Sequence, residues 1–185
     1  MTSSLFAAEE IDLPSYWLIV GTAENVSITA ALGWTVQGFK SRHGKKAAAM
    51  RPGDQLIYYV TGIKAIAAVA QVASSSFESH DLVWRSDARP PDNYPWRVQI
   101  TRGIVLTPDR YIPVQSLLDR LAFVRKWPPE NWTLAFQGNV HLLPFEDGVL
   151  LSGLIGDAAG EADPSPGSSA AAHGGTPIAT ASGTP

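Results

Sequence analysis

The chain of 185 residues contains no cysteine, so a disulfide framework and a thiolate metal site are both excluded. No apolar run approaches the roughly 20 residues needed to span a bilayer. The opening stretch, MTSSLFAAEEIDLP, has neither the basic start nor the long apolar segment of a secretory signal, and a cytoplasmic address is the expectation. No GxSxG elbow, Walker loop, GxGxxG or HExxH is present. The four histidines, His43, His80, His141 and His173, form no close ligand pair. A metal site needs three or four convergent ligands, so neither a metal nor a cofactor is expected. Basic residues are also missing from both ends. All 14 Lys and Arg lie between Lys40 and Lys126. Across residues 14–155 these 14 cations face 11 acids, a net charge of +3, although the whole chain carries −3. A weakly basic centre between acidic ends is compatible with a polyanionic partner and equally with an ordinary solvated surface.

What is present divides the chain into three. Residues 1–13 read as a flexible leader and residues 14–155 as one domain. Residues 156–185 are rich in Gly, Ala, Ser, Thr and Pro, with Ile178 the only large apolar side chain, and read as a disordered tail. Within the domain, Tyr16–Val20 (YWLIV) is a buried strand ended by Gly21. The stretch ENVSITAALG predicts a short helix stopped by Gly33. Lys45–Met50 predicts one more helical turn, and Arg51-Pro52-Gly53-Asp54 a tight turn. Gln55–Val60 and Ala65–Ala73 predict strands, the second made mostly of small residues that invite close packing. Residues 74–93 form a long loop without periodicity, a feature that usually marks function or disorder. Trp96–Leu106 alternates as a strand. Val114–Val124 predicts a helix, Trp132–Leu143 a weaker strand, and Phe145–Ile155 a closing helix. The expected class is α/β (α+β): a small mixed, curved sheet or open barrel flanked by short helices.

Two segments carry the functional reading. One is Gly21-Thr22-Ala23-Glu24-Asn25-Val26-Ser27, followed by Gly33-Trp34-Thr35-Val36. The other is Arg51-Pro52-Gly53-Asp54, then Leu56–Val60, Thr61-Gly62-Ile63-Lys64 and the small-residue strand. With YWLIV before them and YPWRVQI after, they resemble the EVE domain of the PUA-like superfamily over roughly residues 14–155. They are also distantly similar to YTH domains. That resemblance implies a reader of modified bases in DNA or RNA, with no enzymatic activity. By the YTH pattern it implies a base-binding set of Asn25, Trp34, Thr35 and Trp84, the two indoles bounding an aromatic cage and Asn25 reading a base edge. Departures include Ala where such domains often show Phe and Gly in residues 65–70, and His141 where a basic residue is usual.

Each nominee has an ordinary alternative. Trp34 could plug the core, Asn25 could cap its helix, and Trp84 could pin the loop. Trp17, Trp96, Trp127 and Trp132 read as core or helix-packing residues. Lys40, Arg42, Lys45 and Lys46 form a basic run that could touch phosphates or face water. Lys64 is a candidate rim contact, and Arg97 a candidate pocket residue. Two rival classes remain open at this stage. One is a PUA-like hydrolase of modified nucleosides or RNA, with Lys64 and Glu24 as the first pair to inspect. The other is a protein-interaction adaptor.

Overall fold

The computed structural model describes residues 12–160. Two strands set its centre. Strand β1 (Tyr16–Gly21) lies parallel to β3 (Gln55–Val60), in register from Tyr16 opposite Gln55 to Gly21 opposite Val60. Both strands read as unbroken apolar runs because both faces are covered, as expected of parallel strands. On one face Leu18, Val20, Ile57 and Tyr59 join one core. On the other, Trp17, Ile19, Leu56 and Tyr58 join a second. Parallel neighbours need a crossover. Here it comprises α1 (Ala23–Ala31), β2 (Val36–Phe39) and α2 (Gly44–Ala49).

Strand β4 (Ala65–Val72) returns antiparallel to β3 through the Thr61–Lys64 turn. After β5 (Phe77–Glu78), the long β6 (Trp96–Val105) pairs with both β4 and β2. Short β7 (Ile112–Pro113) adds to β4, and β8 (Val140–Leu142) adds to β1. The order β2-β6-β4-β3-β1-β8 forms a mixed, strongly curled half-barrel with a few short helices, the class anticipated from the pattern. Helix α3 (Phe145–Gly160) seals the first core with Leu151 and Ile155.

Several local expectations give way to tertiary contacts. Residues 114–124 do not form one helix. They form two 3₁₀ turns, Val114–Leu117 and Ala122–Val124, with Leu121 extended between them (φ −92°, ψ 118°). The buried Asp147 carboxylate explains the break. It accepts the backbone N–H groups of Ala122 (2.9 Å) and Phe123 (2.7 Å), capping a new turn instead of letting the first continue. Residues 132–143 are strand only at β8. Pro129–Phe136 is a 3₁₀ segment that directs Trp132 and Phe136 into the same core, edge to face at 5.7 Å. Helix α3 runs past Ile155 to Gly160. Trp17 and Trp132 are buried, whereas Trp96 and Trp127 are only partly so. Residues 1–11 and 161–185, which hold most of the expected leader and tail, lie outside the described residues. Among the described residues no helix is long and apolar enough to cross a membrane.

The turn before β3 ties the two parallel strands together. Gly53 has φ +100°, a conformation that Gly adopts without a Cβ penalty. This turn directs the buried Asp54 carboxylate at three donors: Ser15 N (2.9 Å), the Trp17 indole Nε1 (3.0 Å) and Arg51 N (3.1 Å). Asp54→Ala would leave these donors without their acceptor. Hydrogen bonds to a charged group contribute about 1.5–3 kcal/mol net. Urea unfolding is expected to show a loss of about 2–3 kcal/mol at unchanged m-value. A loss well below 1 kcal/mol would mean that the strands register without this carboxylate.

Candidate functional site

The polar side chains that follow β1 organise one end of the half-barrel. Thr22 caps α1, its Oγ1 accepting Asn25 N at 3.2 Å. That start sets Asn25 and Thr29 one turn apart on α1, and both grip the long loop before β6. Asn25 Nδ2 donates to Arg85 O (2.9 Å), and Arg85 N donates to Asn25 Oδ1 (2.7 Å). The Trp84 indole N–H donates to Thr29 Oγ1 (2.9 Å). The ring lies flush on β2 at Gly38, where an added Cβ would come within 2.3 Å of Cζ3, so only Gly admits it. The Arg97 guanidinium sits 5.3 Å from the Trp84 ring centroid. Arg97 is itself buried under the loop, donating to Tyr94 O and Asp81 O.

These contacts leave a cavity of about 160 Å³ between α1, the end of β1 and the loop. Trp84 and Tyr94, ring centroids 5.9 Å apart, give it aromatic walls. Gln37 of β2 and Tyr58 of β3 also line it, and Lys40 stands with Gly138 and Asn139 at a further side. The structure therefore brings Asn25, Lys40 and Trp84 to one hollow. It does not bring Trp34 or Thr35 there. Trp34 takes a left-handed backbone (φ +57°) and turns into the core, 4% exposed, edge-on to Tyr58 at 5.0 Å. Thr35 is exposed and donates to Leu32 O (2.8 Å). Tyr94, and not Trp34, is the aromatic side chain beside Trp84 in the hollow. Asn25 also differs from expectation, because both ends of its amide hold Arg85 in place.

The basic run lies beside this hollow. Lys46 donates to Val140 O (2.7 Å) and Arg42 Nε to His43 Nε2 (3.2 Å), while Lys45 is exposed. Burial, then Lys46, Arg42, His141 and Lys40, depress the His43 pKa to about 4. Burial likewise lowers that of His141, with Lys46 and Lys126 adding to the effect and the Gln137 carbonyl opposing it. Burial is thus the main reason both rings are neutral at pH 7, and the nearby cations act in the same direction. Lys64 is exposed in its turn (φ +59°) and does not line the cavity. Glu24 pairs with Arg85 (3.1 Å), so the Lys64–Glu24 pair considered for hydrolysis is not assembled. Among the described residues no group of three or more His, Asp or Glu could hold a metal ion. Gln37, Tyr58 and Tyr94 were missed by sequence reasoning. The one available signal was Gln37, a polar residue in an apolar strand.

Comparison with known proteins agrees with this architecture. Two UPF0310 proteins are similar over 76% of the chain and 99% of their own length. One, from Pyrococcus abyssi, is 25% identical, and the other, from Pyrococcus horikoshii, is 24% identical. Among solved structures, the Mmi1 YTH domain in complex with RNA superposes with a TM-score of 0.56 at 14% identity, covering 81% of this chain and 82% of that one. The YTH domain of Zygosaccharomyces rouxii MRB1 in complex with N6-methyladenosine RNA gives 0.55 at 16% identity, covering 78% and 88%. At these identities the likeness is one of fold. The EVE domain pattern itself matches residues 15–126, from β1 through the 3₁₀ turns after β7. The chain belongs to the EVE domain family.

Proposed function

We propose that this chain is a nucleic-acid-binding module, without catalysis, that takes a modified base such as a methylated one out of its stack. The base is held against Trp84 and Tyr94. The observation that carries the reading is a hollow with two aromatic walls beside a cationic flank. Two structures of the same fold contain RNA, one of them N6-methyladenosine RNA, and they supply the partner class. Extruding a base costs a few kcal/mol. Stacking on an aromatic ring contributes about 1–3 kcal/mol per base. Enclosing one methyl adds only about 0.8 kcal/mol, so any strong preference for a modified base has to come from the fit of the cavity.

In this reading Trp84 and Tyr94 stack the base. Lys40, whose Nζ lies 5.8 Å from the Tyr94 ring centroid, and Arg42 attract the adjoining phosphates. Lys45 and Lys46 extend that positive flank. Asn25, Thr29 and Arg97 are positioning residues that keep Trp84 in place.

Fluorescence anisotropy with DNA and RNA oligonucleotides, bearing intact or methylated bases, tests the stacking wall. Trp84→Ala is expected to weaken binding roughly 10-fold or more. Gly38→Ala should act in the same direction by displacing the indole. Folded variants that bind as well as the wild type would remove the cage. The flank is tested by titrating salt. Lys40→Ala and Arg42→Ala should each weaken every oligonucleotide about equally and reduce the log–log salt slope by about 1. An unchanged slope would place the phosphates elsewhere. Asn25→Ala is expected to speed amide exchange at residues 84–88 and lower affinity for all bases alike. A change in base preference without faster exchange would instead make Asn25 a reader of the base.

A further inference from the structure

Two of the residues that line the cavity each carry a buried polar atom that no other described residue satisfies. Gln37 and Tyr58 are 5% and 1% exposed, and both line the hollow. Gln37 Nε2 donates to Gly38 O at 2.7 Å, whereas Gln37 Oε1 and the Tyr58 hydroxyl have no partner. The amide orientation follows from that bond, because the reverse would set Oε1 against a carbonyl oxygen. Buried polar groups are nearly always paired, and an orphan invites an explanation. Phe in place of Tyr58 would keep the edge-on contact with Trp34 and remove one orphan. Trp34 braces the Tyr58 ring from the side, so the hydroxyl is held rather than free to swing. Burial pushes the Tyr58 pKa up, so the hydroxyl keeps its proton and can donate.

We propose that Gln37 and Tyr58 are the specificity-determining pair of this cavity, selecting a flat heterocycle that presents an N–H beside a ring or carbonyl acceptor. This rests on the base-capture reading above. Gln37 Oε1 can only accept, so the ligand supplies an N–H. The Tyr58 hydroxyl donates to the neighbouring acceptor. A base alkylated once on an exocyclic amine keeps an N–H and satisfies the pair. A base whose pairing-edge N–H groups are all alkylated leaves Gln37 Oε1 orphaned. Sites built to hydrogen-bond a ligand reject analogues lacking that group far more strongly than apolar sites reject an extra methyl.

The test uses single-stranded oligonucleotides with one central base, each of the four in turn. That base is either intact or has every pairing-edge N–H replaced by N-methyl. For whichever base the wild type binds best, full N-methylation is expected to weaken binding on the order of 10- to 100-fold. Gln37→Leu, of similar size, should bind the intact base as weakly as the methylated one, reducing the gap to under about threefold. Tyr58→Phe should lower affinity for the intact base by about fivefold or more. Both variants should melt at or above the wild-type temperature, because each removes a buried orphan; a merely structural role would lower it. A wild-type gap under threefold, or a gap that Gln37→Leu leaves intact through sterics alone, overturns the inference while base capture stands. If the wild type binds none of the oligonucleotides, base capture itself fails, and this inference with it.

Discussion

The parallel pairing of β1 with β3 is the constraint from which the rest of the molecule follows. Two adjacent parallel strands cannot be joined by a tight turn, so the chain between Gly21 and Gln55 has to cross over. That crossover carries α1, β2 and α2, and it lies over the face formed by Trp17, Ile19, Leu56 and Tyr58. The opposite face, formed by Leu18, Val20, Ile57 and Tyr59, is covered by α3 and the 3₁₀ segments. With both faces dry, the backbone groups of these strands find partners within the sheet, and polar side chains collect at its ends. Asp54 closes one end by gathering the Trp17 indole and two backbone donors. The cavity lies toward the other end, where β1 gives way to α1.

The long loop before β6 would be expected to carry high entropy, yet its central part is held by specific contacts. One asparagine amide takes both the N–H and the C=O of Arg85. One threonine hydroxyl receives the Trp84 indole. A glycine on β2 lets that ring lie directly on the backbone, and a buried arginine stacks near it. Each contact is modest alone. Together they fix the Trp84 ring, 5% exposed, on a segment that has little regular structure of its own. Burial, with the neighbouring Lys46 and Arg42 adding to it, holds His43 neutral on this flank.

Much of the scaffold was legible in the sequence because it depended on local patterns. YWLIV and QLIYYV are continuous apolar runs because their strands are central, and Pro52-Gly53 marks a turn that positive φ requires. Val114–Val124 has a real helical periodicity, but a distant carboxylate, Asp147, takes the donors that a second turn would use. Trp132–Leu143 is strand only at its end because Trp132 and Phe136 answer to a core supplied by other elements. Trp84 follows from the resemblance to YTH domains and Lys40 from the local basic run, and both line the hollow. Trp34, from the same resemblance, does not, since one left-handed residue turned its ring from the surface to the core.

By itself, the sequence determined a cysteine-free α/β domain with two continuous apolar strands, a short first helix stopped by Gly33, a Pro-Gly turn before the second strand, and cations confined to the middle of the chain. These are matters of side-chain chemistry and short-range spacing. Only the tertiary structure decided that Tyr94 rather than Trp34 stands beside Trp84, that Asn25 is occupied by the loop, and that Gln37 and Tyr58 line one cavity, each with a polar atom unpartnered among the described residues. Gln37 and Tyr58 sit on strands that are not hydrogen-bonded neighbours in the sheet, β2 and β3, yet in the curled half-barrel both line the same cavity. Curvature arises from the twist and pairing of all the strands at once, and it leaves no trace in the spacing of any single segment.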